Sequence, residues 1–352
     1  MARHSTCTNL LEAVDDWTKS LDDSKETVIV FIDFARAFDC VSVNKLIFKL
    51  ESIGICGKLL SCIRSLLINR SQKVRVGKPL SVERPVLSGV PQGSVLGPVL
   101  FLLFVNDVTI FFPPNAKTKL YADDLKSYIS VSDKSNGVNI PILLEAITDW
   151  SVTWQLPLST AKCNWMQISN SKSPCNFSFS LAGCCLKRVE EVKDLGVLFN
   201  SKLNFSSHIS SIIAKAKQRA FLLRRTFVCS DWHVLILAFK TYILPLLEYC
   251  SPVWSPCSVA EILRLESVQR SFTKTLPSFA NLSYNQRLSK AGITTLERRR
   301  LNSDLILLFK ITHKLIDSAL FDYIVFDNNC TRGNAFKLKQ LPARLNIRLN
   351  FL

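Results

Sequence analysis

Acidic residues are scarce in this 352-residue chain. Asp and Glu number 28 against 44 Lys and Arg, a formal net charge of +16 and a pI near 9.4. A surplus of that sign and size points to a polyanionic partner, either nucleic acid or an anionic membrane surface. Long apolar runs are also missing. The longest uncharged stretch, Pro85 to Asn106, carries three prolines, three glycines, Gln92 and two serines, and its unbroken apolar part is only Val99 to Val105. A spanning helix needs about 20 apolar residues, so this stretch reads as a buried loop and helix and no membrane partner is expected. Met1 to Leu10 has neither an apolar core nor a cleavage-site pattern. The expectation is an intracellular chain, in nucleus or cytoplasm, and not a secreted one. There is no C-x-x-C pair, and His4, His208, His233 and His313 lie far apart, which excludes finger-type zinc sites. The 12 cysteines are scattered and read as reduced thiols. The vicinal pair Cys184 and Cys185 reads as two small buried or half-buried side chains. No internal repeat or low-complexity linker is visible.

At about 150 residues per domain the length suggests two domains, and 48% hydrophobic residues suffice for a core. Composition shifts near residue 200. Before it, Thr27 to Asp33 reads as a buried strand, a short β-branched run ending in a carboxylate. Val43 to Leu67 reads as helical pieces broken at Gly54 and Gly57, and Gln72 to Glu83 as a polar hairpin. Lys119 to Ile129 reads as two short strands joined at Ala122-Asp123-Asp124. After it, Ile209, Ile213, Ala216, Ala220, Leu223 and Phe227 recur every three or four residues, one apolar stripe on a helix. No acidic residue occurs from Leu195 to Ser230, which holds Lys202, Lys215, Lys217, Arg219, Arg224 and Arg225. A solvated basic face and a phosphate-backbone contact both fit, and the missing acids favour the second. The tail after Asp327 is basic without acids as well, with Arg332, Lys337, Lys339, Arg344 and Arg348.

Three carboxylates stand in unusual settings. Asp33 closes an apolar strand, and Asp123-Asp124 occupy a turn between strands, so one sheet can bring them together at its edge. Adjacent like charges are costly unless cations neutralise them, and hard oxygen ligands favour Mg²⁺. Two such ions serve phosphoryl transfer, although an Asp-Asp pair in a turn is also ordinary turn chemistry. Between these carboxylates runs Ser88-Gly-Val-Pro-Gln92-Gly93-Ser-Val-Leu-Gly97-Pro-Val-Leu-Phe101, a Gly/Pro loop entering an apolar helix. Its glycines permit close backbone approach, and Gln92 offers a donor and an acceptor.

In this order the segments resemble the polymerase motifs of non-LTR (LINE-type, jockey-like) retrotransposon reverse transcriptases. Phe31-Ile-Asp33-Phe-Ala-Arg-Ala-Phe38-Asp39 is similar to the first motif, Ser88 to Phe101 to the second and Tyr121 to Asp124 to the third. Trp154 to Cys163, with Lys162, is similar to the fourth, and Lys193-Asp-Leu195-Gly196-Val to the primer grip. Leu247-Glu-Tyr-Cys-Ser-Pro-Val-Trp254 and Leu296-Glu-Arg-Arg-Arg300 resemble the region downstream of these polymerases. The resemblance implies an α+β fold: a right-hand palm, an antiparallel sheet with helices, followed by a mainly helical thumb and C-terminal region. Residues 1–199 would be the reverse transcriptase domain, 200–270 the basic thumb and 271–352 a helical region of unknown role. Arg3 to Leu11 resembles the end of the fingers, so most of the fingers and an upstream endonuclease are expected to be absent from this chain.

The implied activity is RNA-directed DNA polymerisation, adding deoxynucleotides to a DNA primer 3′-OH on an RNA template. A catalytically inactive nucleic-acid-binding remnant is the alternative. The resemblance implies that Asp33, Asp123 and Asp124 hold two Mg²⁺ ions, with Mn²⁺ as an alternative. Phe34, Phe38, Gln92 and Gly93 would contact the incoming nucleotide, Phe38 as the ring that excludes a ribose 2′-OH. Lys162 would act at the pyrophosphate leaving group, and Leu195 and Gly196 at the primer end. Lys215, Lys217, Arg219, Arg224 and Arg225 would track the duplex. An RNA-dependent RNA polymerase is the nearest rival, and Phe38 and Tyr121-Ala-Asp-Asp124 argue against it.

Overall fold

The computed structural model of the protein describes residues 4–131, 139–171, 177–227, 231–316, 321, 324–326, 337–339 and 342–349. The backbone divides into two compact units, Lys25–Val189 and a second that joins Met1–Ser24 to Glu190–Leu352. The fold is α+β throughout. The first helix, α1 (Thr6–Asp22), belongs to the second unit and starts at a capping box in which Ser5 and Thr8 each satisfy the other's amide.

The Lys25–Val189 unit begins with β1 (Glu26–Ile32), α2 (Ala37–Cys40), α3 (Val43–Ser52) and α4 (Gly57–Leu67). A small ribbon of β2 (Arg70–Gln72) and β3 (Arg84–Val86) precedes α5 (Leu96–Val105). The hairpin β4 (Lys117–Tyr121) and β5 (Asp124–Val131) leads to α6 (Asn139–Trp154). β6 (Asn164–Ile168), β7 (Ser180–Leu181), β8 (Cys184–Cys185) and β9 (Lys187–Arg188) complete the unit. Its sheet has five strands in the order β4-β5-β1-β6-β9. β1 runs antiparallel to both neighbours, from Glu26↔Val131 to Ile32↔Leu125 on one side and from Thr27↔Ile168 to Phe31↔Asn164 on the other. Only β9 is parallel to its neighbour. A central strand paired on both edges suits the β-branched run Thr-Val-Ile-Val.

Alternation sends Val28, Val30 and Ile32 to one face, where Leu125 and Ile129 of β5 join them. Leu100, Phe101, Phe104 and Val105 of α5 and Leu143, Ile147 and Trp150 of α6 cover that face. Each such side chain contributes roughly 1.5–3 kcal/mol on burial. A buried lysine lies among them: the Lys49 ammonium donates to the Phe104 carbonyl and to Asp107 at 2.5 Å and sits 3.7 Å from the Trp154 ring centroid. Two expectations are corrected in this unit. The loop before α5 is buried only in part, since Gly89 and Val90 are buried whereas Leu87 and Val95 are 85% and 89% exposed. Cys184 and Cys185 are exposed, because their strand forms only a two-stranded ribbon with β7. All described cysteines are free thiols, as expected.

In the second unit the hairpin β10 (Glu191–Asp194) and β11 (Val197–Asn200) precedes α7 (Ser206–Thr226). The helices α8 (Trp232–Tyr242), α9 (Leu244–Glu248), α10 (Ser251–Trp254), α11 (Val259–Lys274), α12 (Tyr284–Ala291), α13 (Leu296–Thr312) and α14 (Asn346–Leu349) follow. The stripe on α7 is buried at Ile209, Ile213, Ala216 and Ala220, with Leu223 and Phe227 half-buried. Trp17 of α1 meets Phe199 of β11 edge-on at 5.5 Å. In the tail, Arg344 and Arg348 serve the fold. Arg348 pairs with the Asp15 carboxylate and donates to Thr18 at 3.1 Å. Asp22 accepts the amides of Arg344 and Leu345 at 2.8 and 2.9 Å. The acid that pairs with Arg348 and the one that caps the amides of Arg344 and Leu345 thus both come from α1, more than 300 positions away in sequence. Arg332 lies outside the described residues.

Candidate active site

The last ladder pair of β1 and β5 is Ile32↔Leu125, and that of β4 and β5 is Tyr121↔Asp124. One further step of the same register sets Asp33 alongside Asp124, while Ala122 and Asp123 form the two-residue turn between β4 and β5. Asp33, Asp123 and Asp124 therefore share one end of the sheet. Ala122 turns with φ 54, a left-handed conformation that costs an alanine about 1 kcal/mol. Strain of this kind concentrates at functional turns.

A third segment, distant in sequence, fixes Asp33 from the side. The Asp33 carbonyl accepts the Ser159 amide at 2.8 Å, and the Asp33 amide donates to the Cys163 sulfur at 3.3 Å. Burial pushes the Cys163 thiol up, so it stays neutral there. The Ala35 amide donates to the Pro157 carbonyl at 2.8 Å. These bonds bring Lys162 to Asp33: its Nζ lies 3.5 Å from Asp33 Oδ2, and the Lys162 side chain is otherwise mostly exposed. Oδ2 is buried and has no hydrogen-bond partner.

The Gly/Pro loop docks on the chain just after Asp33. Ser88 Oγ donates to the Asp39 carbonyl (2.8 Å), the Gly89 amide to Val41 (2.8 Å) and the Val90 amide to Phe38 (2.9 Å). Gly89 has φ 83, and a Cβ there would stand 2.7 Å from the Asp39 backbone, so only glycine fits. Arg70 donates to the carbonyls of Ser88 and Gly89. Gln92 Nε2 donates to Asp39 Oδ1 at 2.6 Å, a bond that does not use the Gln92 side-chain carbonyl. Gly93 is exposed with φ 78. The Phe38 ring is half-buried and stacks on Phe101 with centroids 4.3 Å apart.

Most of the residues singled out in this unit thus converge, from segments about 50 to 130 positions apart. Phe34 differs. Its side chain is 3% exposed, packs toward Trp150 at 5.9 Å and belongs to the core, so it is not available to a substrate. The period-two series Val28, Val30, Ile32, Phe34 already carried that signal. Asp39 and Arg70 were missed as supports of the loop. Asp39 lay within the first motif, whereas nothing local marks Arg70.

The remaining candidates belong to the second unit. Leu195 and Gly196 form the β10–β11 turn with φ 42 and 88. Lys215, Lys217, Arg219, Arg224 and Arg225 are all exposed on α7. Arg219 donates to the Tyr242 carbonyl at 3.2 Å, and Arg224 and Arg225 lie near the rings of Phe272 and Phe221. His208, at the start of α7, is pushed down to about 4, first by burial and then by Lys215 and Lys193.

The carboxylates suit a hard divalent cation by their oxygen chemistry and by Asp33 Oδ2, which makes no hydrogen bond and faces the Lys162 ammonium. They do not form a closed cage, since among the described residues no three His, Cys, Asp or Glu side chains group closely enough to hold an ion. Also among the described residues, no helix is long and apolar enough to cross a membrane.

Residues 3–199 match the family "Reverse transcriptase (RNA-dependent DNA polymerase)". The RNA-directed DNA polymerase from the mobile element jockey of Drosophila melanogaster is 26% identical over 304 residues, 81% of this chain and 32% of that protein. A probable RNA-directed DNA polymerase from transposon BS of the same species is 29% identical over 229 residues, 63% of this chain and 25% of that one. The chain therefore spans about a third or less of the curated relatives it matches. A solved Candida albicans telomerase, in complex with a fragment of telomeric RNA, aligns with a TM-score of 0.44 at 12% identity, covering 83% of this chain and 55% of that one.

Proposed function

Because the chain belongs to the reverse transcriptase family, we propose that it is the polymerase part of a non-LTR retrotransposon protein and extends a DNA primer on an RNA template. The observation that carries this reading is the meeting of Asp33, the Ala122–Asp123 turn and Lys162 at one sheet end. On this reading Asp33, Asp123 and Asp124 hold two Mg²⁺, for which Mn²⁺ substitutes. The ions, when bound, supply Lewis-acid stabilisation of the attacking and leaving oxygens. Lys162 exchanges its contact with Asp33 for the pyrophosphate and donates a proton as charge develops there. The Phe38 ring, braced by Phe101, closes the space a ribose 2′-OH would need. Gln92, oriented by Asp39, presents its carbonyl to the nucleotide beside Gly93. Leu195 and Gly196 meet the primer end, and the cations of α7 follow the duplex backbone. An endonuclease elsewhere in the same longer protein and action in nucleus or cytoplasm belong to this proposal.

Primer extension on an RNA template with Mg²⁺ tests it. Deoxynucleotide addition by this chain that disappears in Asp123→Ala is the expected result. Extension indifferent to Asp123, or none by the unaltered chain, would overturn the proposal. Affinity for primer–template should also fall steeply with added salt.

A further inference from the structure

The Leu195–Gly196 turn places a leucine where a glycine or asparagine is usual. Both residues have left-handed backbones, and for leucine that conformation is strained. A support comes from Leu247-Glu-Tyr-Cys-Ser-Pro-Val-Trp254, a motif outside the residues 3–199 that match the family. The Tyr249 hydroxyl donates to the Leu195 carbonyl at 2.9 Å. Its ring covers Gly196, where a Cβ would stand 3.0 Å from Tyr249 Cε1. Tyr249 is held in turn: Trp254 Nε1 donates to the Tyr249 carbonyl at 2.8 Å. The buried Trp254 ring meets His208 at 5.2 Å, and His208 Nδ1 accepts the Leu198 amide at 3.2 Å. The contacts close a circuit that grips the β10–β11 hairpin at its turn and again on β11.

We propose that Tyr249 is a positioning residue that sets the Leu195–Gly196 backbone for the primer 3′ end, with Trp254 and His208 as its support. The assignment rests on the primer-grip reading of Leu195–Gly196. It makes the downstream motif part of the framework of that turn, acting through the turn and not through substrate. The hydroxyl supplies the hydrogen bond and the ring supplies the steric wall, so the two can be separated by substitution.

The test compares Tyr249→Phe, Gly196→Ala and Thr6→Val. Thr6 Oγ1 lies 3.0 Å from the same hydroxyl but does not touch the turn carbonyl. Tyr249→Phe is expected to lower the maximal rate of single-nucleotide extension roughly fivefold, the worth of one ordinary hydrogen bond. Primer–template Kd and deoxynucleotide KM should stay at the unaltered values while the melting temperature falls by no more than about 2–4 °C, a split that a merely structural role would not produce. Gly196→Ala should slow extension as well, and Thr6→Val should not. Extension at full rate in Tyr249→Phe alongside slow extension in Gly196→Ala would overturn the role of Tyr249. If neither variant slows extension, the primer-grip reading fails instead. Amide hydrogen exchange of residues 195–198 then decides the brace by itself: exchange about fivefold faster in Tyr249→Phe supports it, and unchanged exchange overturns it.

Discussion

Gly89 and Gly93 allow the docking of the Gly/Pro loop to be tested by a pair of like substitutions. Both have left-handed backbones, φ 83 and 78, with Gly89 buried and Gly93 exposed. They differ in what a Cβ would meet: the Asp39 backbone at 2.7 Å for Gly89, and nothing within 4 Å for Gly93. Gly93→Ala should therefore cost only the backbone penalty, about 1 kcal/mol. Gly89→Ala adds an overlap against backbone that cannot rotate away, worth about 1–3 kcal/mol more. At roughly 2–4 °C per kcal/mol for a protein of this size, the two variants should melt about 2–12 °C apart. Relief of the clash would also lift the loop from Asp39, breaking the Ser88 and Gln92 bonds. Deoxynucleotide KM should then rise in Gly89→Ala much more than in Gly93→Ala. Thermal melting and steady-state extension read the two effects, and equal behaviour of the variants would refute the docking of the loop on Asp39.

Phe38→Ala should raise ribonucleotide incorporation relative to deoxynucleotide, read by parallel extension with the two substrates; an unchanged sugar preference would remove Phe38 from that role. Lys49 is pushed down to about 8 by burial, against the pull of Asp107. Its folded value lies below the unfolded one near 10.5, so its charge penalises the fold at low pH and the penalty lifts between about pH 8 and 10.5. The unaltered chain should gain on the order of 2 kcal/mol over that span relative to Lys49→Met in denaturant titrations, and parallel curves would contradict the reading. His208, held near 4, acts in the same direction in a lower window: its contribution is lost as pH falls from about 6.5 toward 4. Protonation also removes the acceptor of the Leu198 amide, so exchange at Leu198 should quicken at pH 4 more than elsewhere in β11.

Regular periodicity made some of this architecture legible. The β-branched run of β1, the turn around Ala122–Asp123 and the stripe on α7 each follow a local repeat, and the elements lie where those repeats put them. The chemistry at the sheet end was legible only as a set of motifs. What joins the motifs has no local signature: a cysteine sulfur under the Asp33 amide, an aspartate steering Gln92 and an arginine clamping two carbonyls. Charge misled where it was counted along the chain. Arg348 looked uncompensated because its partner Asp15 precedes it by more than 300 positions.

That connection from α1 to the tail, with the whole of Lys25–Val189 interposed, bears on how the protein is made. The interposed unit has every segment it needs once Val189 is synthesised, and can fold at once. α1 cannot, since Phe199 and Arg348, which pack against it, emerge later. At about 5–20 residues per second, α1 waits on the order of ten seconds or more with Leu10, Leu11 and Trp17 uncovered. Misfolding during synthesis should therefore begin at this helix, and substitutions that make its apolar face stickier should reduce yield before they alter the melting of the finished protein.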